Sequence, residues 1–235
     1  AQDLSARKSF DAIRATLDYN PLVLDIFMAK INPNTIGSGN NNDDSNLYGI
    51  NAAYKFNQYN SEAEAYIIAK NARSATAKST SVNVYGIRGS LEPISKLVLD
   101  GEIAMQRGTY SATRDRSAWA ADAAASYAID YKWSPKVGVG YVYRSGEKAS
   151  TTTGDYKAWD TMYEDQTHGI VANYIFNDNN EGGDSNSQII TASASVNPIQ
   201  DLTVAVDYYN FMLAQKLVDL STNGTIIMKD KKDLG

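Results

Sequence analysis

Apolar and polar residues alternate with a period of two along nearly the whole chain, the pattern of strands whose two faces meet different surroundings. In residues 10–19, Ile13, Ala15, Leu17 and Tyr19 share one parity while Arg14, Thr16 and Asp18 share the other. Residues 47–57 repeat it, with Tyr48, Ile50, Ala52, Tyr54 and Phe56 against Gly49, Asn51, Ala53 and Lys55. Residues 97–106, 119–131 and 137–144 follow, and the last clear pair is 188–196 and 202–211. Less regular strands are predicted at 22–31, 62–70 and 82–91, where Asp25, Glu62, Glu64 and Arg88 fall on the polar parity. Most runs reach the ~9–11 residues that a tilted strand needs to cross a bilayer.

The connections alternate as well. Short turns are predicted at Asn20-Pro21, residues 57–60, Glu92-Pro93, Trp133-Ser134-Pro135 and Asn197-Pro198. Long polar loops fall between them at 33–46, 71–80, 108–117 and 146–166. Short turns at one end and long loops at the other are the asymmetry of outer-membrane barrels. Keeping that alternation makes 146–187 one long extracellular or lumen-folded excursion containing a non-spanning hairpin at 168–176, and leaves about ten spanning strands. Residues 216–229 read as a further loop hairpin around Asn223-Gly224. A soluble β-sandwich also shows period two. Against it, the strands are long, and Tyr19, Tyr48, Phe56, Tyr85, Trp119, Tyr131, Tyr143 and Tyr208 cluster near strand ends like interfacial girdles.

Composition narrows the classes further. Cysteine is absent, which removes disulfides, thiol catalysis and thiolate metal sites. The net charge of −5 argues against a nucleic-acid partner, whose phosphates call for clustered Lys and Arg. No run approaches the ~20 apolar residues of a transmembrane helix. The N-terminal residues carry no apolar signal-peptide core, so an export signal is expected to be removed or to lie outside this sequence.

Several collinear stretches resemble the alginate-export family of outer-membrane proteins. They run from Arg7 to Arg14 and on through Asp18-Tyr-Asn-Pro to Lys30, then from Ala118 to Asp122 and Pro135 to Glu147. Trp159-Asp-Thr-Met-Tyr163 with His168-Gly169, and Leu202 to Phe211, complete the set. The resemblance implies an all-β, antiparallel, transmembrane up-and-down β-barrel of roughly eighteen strands, set among outer-membrane lipid and lipopolysaccharide. Its lumen would pass an anionic polysaccharide or other hydrophilic solute. Residues 1–235 would then be a single barrel domain, incomplete at both ends.

If the polar parity faces water, the candidate pore-lining residues are Arg14, Asp18, Asp25, Lys55, Glu62, Glu64, Arg88, Asp100, Glu102, Asp122, Lys136, Arg144 and Asp207. Acidic residues outnumber basic ones here, a departure from the cationic lumen that an anion exporter needs. Arg14, Arg88 and Arg144 are expected first to pair with carboxylates across strands and stiffen the wall. No catalytic, metal or cofactor site is expected. The one histidine, His168, has no cysteine beside it, and Glu62/Glu64 and Asp100/Glu102 follow from strand alternation more simply than from glycosidase chemistry. The oxygen-rich runs 40–46 and 178–186 lack the spacing of a calcium loop, and Gly86, Gly89, Gly138 and Gly140 precede no helix that could hold a phosphate. Three functions remain: a channel for hydrophilic solutes, a scaffold barrel plugged by or docked to a periplasmic partner protein, and a barrel enzyme without a credible nucleophile.

Overall fold

The computed structural model describes residues 11–31, 45–72, 79–148, 153–162, 185–215, 217–220 and 226–229. Ten strands form one sheet in chain order, every neighbour antiparallel. They are β1 (Asp11–Tyr19), β2 (Leu22–Ile31), β3 (Ser45–Phe56), β4 (Ser61–Ala72), β5 (Thr80–Ile94), β6 (Leu97–Thr109), β7 (Asp115–Ala128), β8 (Lys136–Arg144), β9 (Ser187–Ile199) and β10 (Leu202–Leu213). A separate hairpin joins β11 (Leu217–Leu220) to β12 (Ile226–Lys229), where residues 216–229 predict one. The ten-stranded sheet is up-and-down and not closed, with β1 and β10 at its edges. This all-β meander is the architecture that the alternation predicts for part of a barrel.

β8 and β9 pair directly, and among the described residues no strand of the sheet comes between Arg144 and Ser187. Residues 168–176, with His168, lie outside the described residues, as do Asn223-Gly224 and most of the runs 40–46 and 178–186.

Two predicted turns are displaced. Glu92-Pro93 and Asn197-Pro198 sit inside β5 and β9, and the chain reverses three residues later, at Ser95-Lys96 and Gln200-Asp201. Both prolines coincide with register shifts, between Leu91 and Ile94 and between Leu202 and Val204. Proline has no N–H for the ladder, but a bulge leaves one residue unpaired and so accommodates it. Lys96 and Asp201 take the left-handed conformation of the turn itself, with φ of 70° and 68°. Likewise β7 stops at Ala128, short of the predicted Tyr131, because residues 129–135 form a wider turn closed by Ile129 N donating to Pro135 O at 2.8 Å. Across that end, Lys96 Nζ lies 2.9 Å from Asp130 and holds its carboxyl below the usual value.

Register assigns every side chain to a face. On one, Ile26, Ile50, Ile67, Tyr85, Met105 and Trp119 form an unbroken lateral row over six strands, each over 40% exposed. The next row, Leu17, Leu24, Ala52, Ala65, Ile87, Ile103, Ala121 and Tyr143, is also wholly apolar. Contiguous apolar surface on this scale does not stay in water. A sandwich would cover it with a second sheet of comparable size, and besides the ten strands the described residues form only the two-stranded β11–β12 hairpin, with four residues in each strand. Strands of up to 15 residues are likewise far longer than the 5–6 usual in soluble sheets.

Candidate functional site

All thirteen candidate charges fall on the opposite face by register. The row Asp18, Val23, Ala53, Glu64, Arg88, Glu102 and Asp122 places four charged residues side by side on β4 to β7. Arg88 Nε lies 3.5 Å from Glu64. At the β1 edge Arg14 meets Asp25 at 2.8 Å, and Thr16 donates to the same carboxylate. Such pairs, largely open to solvent, contribute at most about 1 kcal/mol each. Arg144 lies buried beside Ser187, its guanidinium 3.5 Å from the Ser187 hydroxyl. Lys55 stands opposite Glu62, and Asp100 opposite Ser90. Lys136 and Asp207 lie away from this cluster, opposite Ser195 and Ser193. Asp18 accepts from the turn amide of Asn20 at 3.0 Å.

Glycines let aromatic rings lie flat on this face. A Cβ on Gly49 would stand 2.1 Å from the Phe27 ring, and one on Gly86 would stand 2.1 Å from the Tyr66 ring. Over Gly86, Tyr66 of β4 reaches across β5 and donates to Glu102 of β6. Glu64, Tyr66, Arg88 and Glu102 line a recess of ≈420 Å³ whose other wall is Trp159 to Met162, the end of the segment 153–162.

That segment is laid across the charged face at the end opposite the short turns. It starts as an extension of the sheet, where Tyr156 N donates to Asp115 O at 2.7 Å and Ser117 N to Tyr156 O at 2.9 Å. Arg114 fastens it, donating to Gly154 O at 2.8 Å and to Glu147, whose other oxygen accepts from Lys157 N. The Tyr156 ring stacks on Tyr110 at 3.6 Å, with the Arg116 guanidinium over both. Burial first, and the neighbouring Tyr110 second, push the Tyr156 phenol above its ordinary value.

Further on, Arg116 of β7 donates to Ala158 O at 2.6 Å. Gln106 of β6 makes a two-way bond with Asp160, donating to its carbonyl at 2.6 Å and accepting from its amide at 2.8 Å. Lys70 of β4 meets the Asp160 carboxylate at 2.8 Å, and Arg116 meets it from the other side at 3.4 Å. Trp159 is buried against Val82, Val84, Ala104 and Ala118. A side chain of that size removes ~200 Å² from water, a stabilisation of about 5 kcal/mol as an upper figure. Four strands thus hold one short segment flat against the charged face.

A family model described as alginate export matches residues 2–232. The chain belongs to the alginate export family. A comparison with curated proteins found no match. The alginate export family is one of membrane-embedded export porins, not enzymes, and its β-barrel, outer-membrane character agrees with the two faces of this sheet.

The residues that fix the segment were not among the sequence candidates. Lys70, Gln106, Arg114, Arg116 and Asp160 are polar residues whose partners lie up to 92 positions away, so no local spacing marks them. One signal existed. Ile68, Val82 and Val84 break the alternation on the polar parity, and these apolar positions mark where Trp159 and its neighbours dock.

Proposed function

We propose that this chain forms part of the wall of an outer-membrane channel that passes hydrophilic solutes, anionic saccharides among them, along its charged face. One observation carries the reading: two apolar rows run across one face without a polar interruption, and all thirteen alternating charges lie on the other. A sheet so divided separates lipid from water, and a closed barrel is the form in which strands cross lipid with their backbone groups paired. Acidic and basic groups intermix along the Glu64–Arg88–Glu102–Asp122 row, so the wall suits a hydrated, hydroxyl-rich solute as well as a purely anionic one.

The test uses single cysteines in the full-length protein in membranes, probed with a water-soluble thiol reagent, alongside planar-bilayer conductance. Positions 100, 102, 122 and 126 should label, positions 99, 103, 121 and 125 should not, and discrete conductance steps should appear. Labelling without regard to parity would refute the divided wall. Parity-dependent labelling without conductance, and with a stoichiometric co-purifying protein, would replace the channel by a plugged scaffold.

A further inference from the structure

The segment 153–162 starts alongside β7 and crosses the sheet from β7 to β4, and every strand it crosses holds it. Tyr156 extends the β7 ladder, Trp159 packs on β5, Asp160 bonds Gln106 on β6, and Lys70 on β4 reaches both the Asp160 carboxylate and Met162 O, the latter at 3.3 Å. The anchors converge on residue 160, whose carboxylate also accepts from Met162 N at 2.7 Å. Its backbone is fixed by the Gln106 amide, and its carboxylate stands between two cations. A layer of chain on a sheet face occupies on the order of 10 Å of depth. On the water side of a barrel that depth is taken from the aperture.

Resting on the channel reading, we propose that residues 153–162 are a strap that sets the size limit for solutes, with Asp160 as its latch. The Lys70 and Arg116 charges lie on different strands, so the latch joins β4 to β7 through the strap. Neutralising Asp160 removes the charge that Lys70 and Arg116 share while leaving its backbone bonds to Gln106 in place. The covered wall beneath, including Ala118 at 1% exposure, then opens to water.

The experiment compares the full-length protein with its D160N variant in planar bilayers, in liposomes swollen by neutral oligosaccharides of increasing length, and by thiol labelling of an added A118C. Each opening of the strap takes one layer of chain out of the aperture, so D160N should show more frequent excursions to about twofold higher conductance and faster entry of longer oligosaccharides. Labelling at position 118, slow in the parent, should accelerate about tenfold, the effect of weakening the latch by ~1.4 kcal/mol. Should D160N fail to assemble, Q106A carries the same test, since it cuts both backbone bonds to residue 160 and leaves every charge in place. Faster labelling with unchanged conductance and unchanged size limit would overturn the size-setting role, and unchanged labelling would overturn the latch. A parent protein that labels by parity but does not conduct would bring down the channel reading, and the size limit with it.

Discussion

Replacing Gly86 with alanine should destabilise the protein, contrary to the usual effect of that exchange in a strand. Alanine in a strand interior is ordinarily favoured over glycine by roughly 0.5–1 kcal/mol, because glycine loses more conformational freedom on folding. Here the new Cβ would stand 2.1 Å from Tyr66 Cζ, 2.4 Å from its hydroxyl oxygen and 2.6 Å from Cε1. Ordinary carbon contacts lie at ~3.5–4.0 Å, so the ring must lift by more than an ångström. Lifting it breaks the bond from Tyr66 to Glu102. A hydrogen bond to a charged acceptor contributes ~1.5–3 kcal/mol, and the partial exposure of both residues places the loss at the lower end of that range. After the alanine gain, the net cost should be about 1 kcal/mol. Urea-dependent unfolding of the full-length protein in lipid vesicles measures it, and a double-mutant cycle with Tyr66→Ala isolates the cause. With Tyr66 removed, Gly86→Ala should become neutral or stabilising. A cost that persists in the Tyr66→Ala background would refute the account.

Three other outcomes follow from the same geometry. Ile67→Lys, in the middle of the apolar row, should cost about 2–4 kcal/mol of stability in bilayers, whereas Glu62→Gln on the other face should stay within about 0.5 kcal/mol; equal effects in vesicle-folding assays would contradict the division of faces. The Asp130 carboxyl, held below 3.8 by Lys96, contributes stability that is present above the ordinary value and lost as pH falls through the lowered one, so Lys96→Met should move its NMR titration back upward. The Tyr156 phenol is raised, so its contribution is present below pH 10.0 and lost as pH rises through the elevated value; ultraviolet titration should show a late-ionising tyrosine that Tyr156→Phe removes.

The strands were legible because their physics is local. Period two in residues 97–106 and 119–131 reports the faces of β6 and β7 directly, since neighbouring side chains must point opposite ways. The turns were less so, because proline marks a break in pairing, and a bulge satisfies that requirement as well as a reversal does. Pro93 and Pro198 lie in bulges, and the reversals fall on Lys96 and Asp201, whose left-handed conformation their residue types do not announce. The irregular reading of 62–70 and 82–91 has a structural cause. Tyr66, Ile68, Val82 and Val84 are apolar or aromatic on the charged parity because 153–162 and Gly86 give them partners. Those partners come from far along the chain, and alternation carries no information about them.

The joint between β8 and β9 bears on how the sheet assembles. Every other pair of described neighbours is joined by a short or moderate connection, so each hairpin can present the next strand with an edge at little entropic cost. Residues 145–186 span roughly four doublings of a two-residue turn, a closure penalty of about 2–3 kcal/mol. Ser145 shortens that path, because its carbonyl accepts from Trp159 N at 2.9 Å and from Asn186 N at 3.3 Å, pinching the base of the excursion. Ser185 adds a bond to Trp159 O at 2.8 Å. Once the strap is seated, the ends of the long connection are already side by side, and β9 meets its template as though across a tight turn. Under the channel proposal, the same strap aligns strands during assembly before it narrows the aperture.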